Sequence, residues 1–365
     1  MSKSDRRRLG QLITAGFAGT VIPADINALA REFDLGGIIL FTRNIEAPLQ
    51  VAEVAYEAKR LGRELPPWVA IDQEGGRVQR LRAPCTEWPP LASLGRRADE
   101  SLTERFGRAL ARELRTLGIT FDCAPVLDVN TNPRNPVIGD RALSDDPEQV
   151  ADLGAIIVRT LQREGVAACG KHFPGHGDTG VDSHADLPVV EHEPGRLEEV
   201  ELHPFRAAIR TGVAAIMTAH VRYPAWDETS PATLSRRIVT GLLRQDLGFG
   251  GLIVSDDMAM GAIAKHHAAT DAAVAAVNAG CDVLLLCAPD PAYQVAVIEG
   301  LIYAVEAGAL SERRLEDALR RQRRTKESFL TGDGDWRPPA PRRLKEVLGC
   351  AEHQQIADEM RSCLQ

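Results

Sequence analysis

The feature of this chain that most restricts its fold is a series of eight short apolar runs, each followed by a segment with helical periodicity. Continuously apolar runs, without alternation of polar residues, are typical of parallel strands covered on both faces. Eight such strands alternating with helices predict an α/β fold, the (β/α)8 TIM barrel. A doubly wound open sheet is the alternative, because periodicity alone does not establish closure. The predicted strands are LITAGF (12–17), GGIILF (36–41), WVAIDQ (68–73), FDCAPVLDV (121–129), ACGKHF (168–173), AIMTAH (215–220), GLIVSDD (251–257) and CDVLLLC (281–287).

The segments between the runs carry helix signals. Ser101 and Glu104 have the spacing of a capping box at a helix start. Pro147 suits the first turn of another helix. The charged stretch QRRTKE (322–327) is typical of a solvated helical face.

The barrel is predicted to form a single catalytic domain over residues 1–330. After it, GDGDWRPPAPRR (332–343) has the proline and turn-former content of a linker. Residues 331–365 are therefore expected to form a linker and a short C-terminal helical tail. The tail helix would be built around four apolar residues, namely Leu344, Val347, Leu348 and Ile356.

Composition excludes several classes of partner. A net charge of −8 argues against broad binding to nucleic acid or to anionic membranes. No apolar run approaches the roughly 20 residues of a membrane span. The seven cysteines are odd in number and form no CxxC motif, which favours reduced thiols and a cytoplasmic protein. A monomer is expected.

Polar residues follow most of the predicted strands. In barrels of this type the active site lies at the carboxyl ends of the strands. A single carboxylate there is often only a helix cap, but so many on one rim are not explained by capping. These residues are Asp72, Gln73, Glu74, Asp128, Asn130, Lys171, His172, His220, Asp256 and Asp257.

The stretch GKHFPGHGDTGVDSHADLP (170–188) combines ionisable residues with glycines and prolines. Asp182 and His184 are two residues apart, and a carboxylate can hold an imidazole in one tautomer for proton transfer. Asp256, at another strand end, is a plausible carboxylate nucleophile. A carboxylate and a separate acid/base are the minimum set for retaining glycoside cleavage.

Two other uses of this stretch are less consistent with the residues. The histidines and aspartates match no standard metal-ligand spacing, and its glycines are expected to make it mobile, which disfavours a preorganised metal cage. Its aspartates would oppose a bound phosphate. No metal and no cofactor are therefore predicted.

Four motifs together resemble glycoside hydrolase family 3, more narrowly its bacterial NagZ-type β-N-acetylglucosaminidases (β-N-acetylhexosaminidases). They are DQEGGRVQR (72–80), IGDR (138–141), KHFPGHGDTGVDSHADLP (171–188) and SDDMAM (255–260), and GGIILFTRN (36–44) also agrees. The resemblance extends from about residue 10 to about residue 325.

The resemblance implies roles for individual residues. Asp256 corresponds to the nucleophile that forms a covalent glycosyl intermediate. His184 corresponds to the general acid/base on a loop, and Asp182 is its partner. The residues implied to bind the terminal sugar are Asp72, Arg80, Arg141, Lys171 and His172.

The resemblance also implies a substrate. Members with an Asp-Ser-His motif act on terminal non-reducing N-acetylglucosamine of β-1,4-linked cell-wall fragments, GlcNAc–1,6-anhydroMurNAc with or without peptide, during peptidoglycan recycling in the cytoplasm. Chitooligosaccharides are the related alternative. Only about 35 residues follow the barrel, too few for the second α/β domain of the β-glucosidase branch.

Three other functions remain open from the residues alone. A histidine base repels phosphate less than a carboxylate does, so the same site is compatible with a β-N-acetylglucosaminide phosphorylase. A metal-dependent barrel hydrolase and a non-catalytic sugar-binding protein are the other two. Of the remaining rim residues, Asp257 is expected to cap a helix, Met258 and Met260 to pack, and His220 to lie near substrate.

Overall fold

The computed structural model describes residues 3–331 and 337–364. Its eight-stranded parallel sheet closes into a barrel in the order β1-β10-β9-β8-β7-β6-β3-β2, which confirms the predicted TIM barrel over the open sheet. A two-stranded hairpin, β4-β5, stands apart from it. The strands are β1 Ile13–Ala15, β2 Gly37–Leu40, β3 Trp68–Ile71, β4 Gln73–Gly75, β5 Val78–Gln79, β6 Phe121–Asp122, β7 Ala167–Phe173, β8 Ala215–Thr218, β9 Leu252–Asp257 and β10 Val283–Leu286.

Each barrel strand is buried on two faces. In β8, Ile216 packs between the barrel and the helices, whereas Met217 points into the barrel interior. This double burial is the physical reason that the strands read as continuous apolar runs. At the amino ends of the strands, Trp68 contacts Phe121 and Phe329 edge to face, with ring centroids 5.5 and 6.3 Å apart. Aromatic rings therefore fill the barrel interior at this end.

Helices surround the barrel and continue into the tail. The helices are α1 Lys3–Arg8, α2 Ala24–Phe33, α3 Pro48–Lys59, α4 Ala92–Arg97, α5 Glu100–Thr116, α6 Pro147–Arg163, α7 Pro194–Glu199, α8 Leu202–Thr211, α9 Gly261–Ala264, α10 Ala269–Ala279, α11 Pro291–Glu306, α12 Glu312–Leu330, α13 Pro341–Val347 and α14 Ala351–Ser362, with a π-helix at Arg237–Asp246 and short 3₁₀ turns at Leu9–Leu12, Thr42–Asn44, Gly139–Arg141 and Ala232–Leu234. None of the described helices is long and apolar enough to cross a bilayer.

The structure decides two predictions about the first turns of helices. Pro147 occupies the first turn of α6, as predicted. The capping box at Ser101 is wrong, because Asp99 caps α5 by accepting a hydrogen bond from the Leu102 N–H (3.0 Å). Ser101 then lies inside the first turn of the helix.

The solvated face predicted for residues 322–327 is also wrong in part. Gln322, Thr325 and Lys326 are buried and share one side of α12. Gln322 accepts a hydrogen bond from the Trp68 indole (3.2 Å), and the Lys326 ammonium donates to the Gln11 side chain (2.9 Å). Burial lowers the pKa of Lys326 to about 7. The helix closes the amino end of the barrel with polar side chains, which a hydrophobicity pattern does not reveal.

The C-terminal tail forms two helices, α13 and α14, where one was expected. Its four predicted apolar residues are all buried. Beneath the tail, the buried Glu113 of α5 accepts hydrogen bonds from the Gly349 N–H (2.8 Å), His353 Nδ1 (2.9 Å) and the Thr86 hydroxyl (2.7 Å). The tail is thereby attached to the outside of the barrel. Residues 332–336 of the expected linker lie outside the described residues.

Candidate active site

A cavity of about 360 Å³ opens at the carboxyl ends of the barrel strands. We call it the upper cavity. Seven of the eight site residues predicted from the sequence line it, and the eighth, Asp182, is hydrogen-bonded to one of them. The seven are Asp72, Arg80, Arg141, Lys171, His172, His184 and Asp256. The strand ends thus bring together residues that are up to 184 positions apart in sequence.

One wall of the upper cavity is a buried network of opposite charges. The Lys171 ammonium lies 2.9 Å from an Asp72 oxygen and 2.6 Å from a Glu74 oxygen. Arg141 holds Glu74 from the other side with two parallel hydrogen bonds of 2.8 and 2.9 Å. Glu74 is almost fully buried and was recognised in the sequence only as one polar residue of the rim. It links two predicted sugar-binding residues, Lys171 and Arg141.

The network keeps its members ionised. Burial raises the pKa of Glu74, but Arg141 and Lys171 outweigh that effect and lower it to about 2. Burial acts on Asp72 in the same sense, and Lys171 and Arg80 together hold its pKa well below the ordinary range. For Lys171, burial lowers the pKa, whereas Asp72 and Glu74 raise it above its usual value. The wall therefore presents fixed charges that do not titrate near neutral pH.

Arg80 carries an unused donor. Its Nη2 group lies 3.1 Å from an Asp72 oxygen, and its guanidinium stands 5.2 Å from the centre of the Phe41 ring. Its Nε–H is buried and has no acceptor among the described residues. That donor is sealed from solvent and costs free energy, so it is not the group that a ligand reaches. Arg80 itself lines the upper cavity, where the rest of its guanidinium can donate to a hydroxyl or carbonyl of a ligand.

Asp256 lies at the end of β9, half-buried in the upper cavity. Its carboxylate accepts a hydrogen bond from the Asp257 N–H (2.8 Å). Burial raises the pKa of Asp256, but His172 and His220 outweigh this and hold it below its ordinary value. Asp256 is therefore an ionised carboxylate on a rigid strand.

His172 is oriented by Asp128, which the sequence indicated only as a rim residue. Asp128 Oδ2 lies 2.7 Å from His172 Nδ1, and Asp128 Oδ1 accepts hydrogen bonds from the His172 N–H (3.1 Å) and the His176 N–H (2.6 Å). Burial raises the pKa of Asp128, and His172 brings it below the ordinary value. An ionised Asp128 directs Nε2 of His172 away from itself, as carboxylates behind functional histidines do.

The first glycines of the 170–188 stretch are not hinges, contrary to expectation. A Cβ on Gly177 would lie 1.7 Å from the Val129 carbonyl oxygen, and one on Gly175 would meet the Glu201 side chain at 2.7 Å. These glycines allow close packing of the backbone. The Tyr223 hydroxyl further fixes the Gly175 carbonyl. Gly180, in contrast, has no neighbouring atom within 4 Å of a Cβ position, so this close packing is confined to the earlier part of the stretch.

His176 connects the packed part of the stretch to the segment that carries His184. The Thr179 hydroxyl donates to the His176 carbonyl (3.1 Å), so it accepts from His176 Nδ1–H (2.7 Å). Nε2 is then left to accept from the Ser183 hydroxyl (2.9 Å). Burial lowers the pKa of His176 to about 4, which keeps the ring neutral. His176 thus shapes the loop through its contact with Ser183.

The start of α9 also receives this segment. The Gly261 N–H donates to the His184 carbonyl (3.2 Å), and the Ala262 N–H donates to the Ser183 carbonyl (3.1 Å). Asp182 Oδ1 lies 2.8 Å from both the backbone nitrogen and Nδ1 of His184. Burial raises the pKa of Asp182, but the hydrogen bonds from His184 lower it overall. This arrangement fixes the ring through Nδ1 and leaves Nε2 available to a ligand.

His220 and Asp257 support the cavity wall from behind. His220 is fully buried, with Nδ1 bonded to the Thr233 hydroxyl (2.8 Å) and Nε2 to the Asp257 carbonyl (3.0 Å). The expectation that it lies near substrate is therefore wrong. Asp257 accepts from the Ala259 and Cys287 N–H groups, so it joins a turn to the end of β10. The prediction that it caps a helix is wrong, because Met260 is the N-cap of α9 and no side chain caps that helix. Met258 and Met260 are buried as packing residues.

The described residues contain no group of three or more His, Cys, Asp or Glu side chains placed to bind a metal ion. The side chains that line the site are carboxylates, imidazoles and fixed cations at the mouth of a barrel.

Residues 6–324 match the family described as glycosyl hydrolase family 3 N terminal domain. The chain belongs to glycosyl hydrolase family 3. Its 41–42% identity to known β-hexosaminidases, over 74–76% of the chain, shows that it is a β-hexosaminidase.

This family 3 enzyme is similar in sequence and structure to known proteins over most of its length. The β-hexosaminidase of Thiobacillus denitrificans is 42% identical over 277 residues, which cover 74% of this chain and 76% of the relative. A solved family 3 β-N-acetylglucosaminidase from Paenibacillus sp. superposes with a TM-score of 0.91 at 39% identity, over 100% of this chain and 69% of that one. NagZ from Neisseria gonorrhoeae, solved with N-trifluoroacetyl-D-glucosamine, gives a TM-score of 0.78 at 30% identity, over 97% and 98% of the two chains.

Glu74→Gln should destabilise this family 3 enzyme at neutral pH, because it removes the carboxylate shared by buried Lys171 and Arg141. Removing one partner of a buried ion pair costs about 3–5 kcal/mol in the free energy of unfolding. The carboxyl pKa is 4.5 ordinarily and about 2 in the folded chain. The stabilisation by Glu74 is therefore complete above pH 4.5 and is lost as the pH falls towards 2.

Urea unfolding of wild type and variant between pH 7 and pH 2.5 measures this effect. The gap in unfolding free energy should narrow as the pH falls below 4.5. Glu104→Gln is the matched control, since Glu104 forms only a surface pair with Arg108 and should contribute about 0–1 kcal/mol. A gap for Glu74→Gln that is small, or that does not change with pH, would contradict the network's role.

Proposed function

We propose that this enzyme is a retaining exo-β-N-acetylglucosaminidase that acts through a covalent glycosyl-enzyme intermediate. The observation that carries the proposal is the pairing, in one 360 Å³ cavity, of an ionised carboxylate on a rigid strand with a histidine ordered by its own carboxylate. Asp256 supplies the nucleophile, and His184 supplies the acid/base with Asp182 as its orienting partner. Retaining glycosidases need one fixed nucleophile and one group that both donates and accepts a proton.

In the first step, an Asp256 oxygen attacks the anomeric carbon as the glycosidic C–O bond breaks. The proton on His184 Nε2 passes to the departing oxygen, so the leaving group departs as a neutral alcohol. In the second step, neutral His184 removes a proton from water, the water oxygen bonds to the anomeric carbon, and the bond to Asp256 breaks. Asp182 stabilises the charged imidazolium and keeps Nε2 directed at the reacting oxygen.

Terminal sugar recognition is assigned to the charged wall of the upper cavity. Asp72 offers carboxylate oxygens to sugar hydroxyls, and Lys171 and Arg80 offer cationic donors. Arg80 lines the upper cavity, which supports direct contact of its guanidinium with the sugar. Arg141 and His172 line the same space and complete the set. A cavity of this size accommodates one sugar ring, which favours release of single terminal residues.

The proposed substrate is N-acetylglucosamine β-1,4-linked to 1,6-anhydro-N-acetylmuramic acid, with or without peptide, in peptidoglycan recycling. Support comes from the motif set and from the N. gonorrhoeae NagZ structure, which was solved with an N-acylglucosamine analogue. The seven cysteines are all free, and five of them are buried, in keeping with the reducing cytoplasm.

Asp256→Ala is expected to lower kcat by at least about 1,000-fold on aryl β-N-acetylglucosaminides, because no covalent intermediate can form. Mass spectrometry with a fluorinated mechanism-based sugar should label wild type at Asp256 and leave the variant unlabelled. Azide should restore part of the variant's activity and yield the α-glycosyl azide. Asp246→Ala, at the exposed end of the π-helix, is the control. Normal labelling and turnover by Asp256→Ala would exclude this residue as nucleophile.

Ser183→Ala tests the positioning of His184. The change removes the hydroxyl that donates to His176 Nε2, and loss of such a buried hydrogen bond costs about 1–3 kcal/mol. We expect kcat/KM to fall about tenfold for substrates with poor leaving groups, which need the proton from His184. It should change little for a dinitrophenyl leaving group, which departs without protonation.

The exposed Ser328→Ala is the control for this experiment, and it should leave both values unchanged. An equal loss with both kinds of leaving group would mean that Ser183 acts only on general folding or on sugar binding. The comparison therefore separates acid catalysis from stability.

Side-by-side product analysis tests the proposed substrate. The enzyme is expected to release free N-acetylglucosamine from an anhydromuropeptide with a higher kcat/KM than from chitobiose, as measured by mass spectrometry. The reaction in phosphate buffer should give the free sugar and no sugar 1-phosphate. A preference for chitobiose would overturn the cell-wall assignment, and a sugar 1-phosphate product would establish phosphorolysis instead.

A further inference from the structure

A second cavity, of about 450 Å³, lies at the amino ends of the barrel strands, opposite the upper cavity. We call it the lower cavity. Asp282, which precedes β10, lies beneath it. The π-helix, the end of α10 and the start of α12 enclose it. Its lining is unusually basic for a chain of net charge −8 and consists of Arg236, Thr240, Arg244, Gln245, Asn278, Gly280, Ser311, Arg313, Arg314, Asp317 and Arg321.

The floor of the lower cavity is one buried carboxylate surrounded by three guanidinium groups. Asp282 is fully buried, and its oxygens lie 2.7 Å from Arg244 Nη2, 2.8 Å from Arg314 Nη2 and 3.1 Å from Arg321 Nη1. One negative charge therefore organises three positive charges. Burial, together with the positive charges of Arg321 and Arg314, lowers the pKa of Arg244 to about 10 despite Asp282. The floor retains an excess of positive charge.

The remaining donors face the cavity rather than the protein. Arg314 uses its Nε and Nη2 groups on carbonyls and Asp282, but its Nη1 group has no protein acceptor among the described residues. Arg321 donates to Asp282 through Nη1, and its Nε and Nη2 groups also have no protein acceptor among the described residues. These donor atoms are not sealed from solvent, so they are accessible from the cavity.

The rim of the lower cavity adds two more cations. Arg236 and Arg313 are exposed and form no ion pair in the described ranges 3–331 and 337–364. The lining contains one carboxylate, Asp317, which lies 3.1 Å from Arg320. Guanidinium groups therefore exceed carboxylates on both the floor and the rim. Exposed cations alone attract anions weakly, but donors held in position by a buried carboxylate form a preorganised site.

We infer that the lower cavity binds a small phosphate monoester of about the size of a sugar phosphate. The guanidinium fork matches phosphate oxygens in pairs, and floor and rim together supply more than one fork. A phosphate group alone would leave much of 450 Å³ unfilled. The neutral polar side chains of the lining, Thr240, Gln245, Asn278 and Ser311, suit the hydroxyl groups of an attached sugar. This site is separate from glycoside hydrolysis and does not depend on the proposed function.

Isothermal titration calorimetry at constant ionic strength tests the inference with glucose 6-phosphate, inorganic phosphate and glucose as probes. Wild type should bind one equivalent of glucose 6-phosphate saturably and should bind glucose with no saturable heat. The paired change Arg236→Ala and Arg313→Ala should weaken glucose 6-phosphate at least tenfold. These two residues lie outside the Asp282 contacts, so the variant should fold and should retain the wild-type rate of aryl glycoside hydrolysis.

Arg342→Ala is the matched control, because Arg342 is exposed on the tail and pairs only with Glu346. It should bind glucose 6-phosphate as wild type does. Added N-acetylglucosamine, which competes only in the upper cavity, should not change the heat. Absence of saturable binding, or equal weakening by Arg342→Ala, would overturn the inference. Inorganic phosphate binding as tightly as glucose 6-phosphate would overturn the assignment of a sugar-sized ligand.

Discussion

The active end of this barrel depends on the burial of one ammonium group between two carboxylates. Lys171 occupies β7, while Asp72 and Glu74 follow β3, so the ion pairs join strand ends across the mouth of the barrel. Burial without these partners would neutralise the lysine, and the partners without the lysine would repel each other. Because Glu74 also binds Arg141, the loop after β6 is fixed by the same charges. The charged wall, to which we assign sugar binding, is therefore set by electrostatics before any ligand enters.

The 170–188 stretch divides differently from what its glycine content suggests. Its first part, through Thr179, is fixed by close packing and by Asp128. A side chain on Gly177 would collide with the Val129 backbone, and one on Gly175 would collide with the Glu201 side chain. Only beyond Gly180 does the segment with Asp182 and His184 lie exposed. That segment is held by the Ser183 hydroxyl, by two N–H groups of α9 and by the contact of Asp186 with His266. The proposed acid/base, which would act as acid in one step and base in the next, thus lies on a short segment with few contacts in an otherwise closely packed loop.

Features that follow from the local pattern of residues were predicted from the sequence. Contacts between residues that are distant in sequence were not. All eight barrel strands were identified because double burial produces continuous apolar runs. Strand-end positions placed Asp72, Lys171, His172 and Asp256 on the rim, whereas Arg80 and Arg141 were indicated only by the family resemblance. Glu74 and Asp128 were recognised as rim residues, but their partners lie far away in sequence, so their roles needed three-dimensional proximity. Gln322 and Lys326 are a second example. They lie on a helix with a highly charged sequence, and they bind Gln11 at the amino end of the barrel. Hydrophobicity shows burial of apolar surface, and it is silent about polar groups that are buried in pairs.

The two cavities contain similar cations in different charge balances. In the upper cavity, Lys171, Arg80 and Arg141 share two carboxylates, Asp72 and Glu74, so their donors are directed while most of the local charge is cancelled. A neutral sugar can use such donors and acceptors without meeting a strong net field. In the lower cavity one carboxylate serves three guanidinium groups, and the excess charge has no partner in the described protein. Desolvating a cation without a counter-charge is unfavourable. The arginine cluster of the lower cavity is therefore stable only where water hydrates the guanidinium groups or an anion supplies the counter-charge.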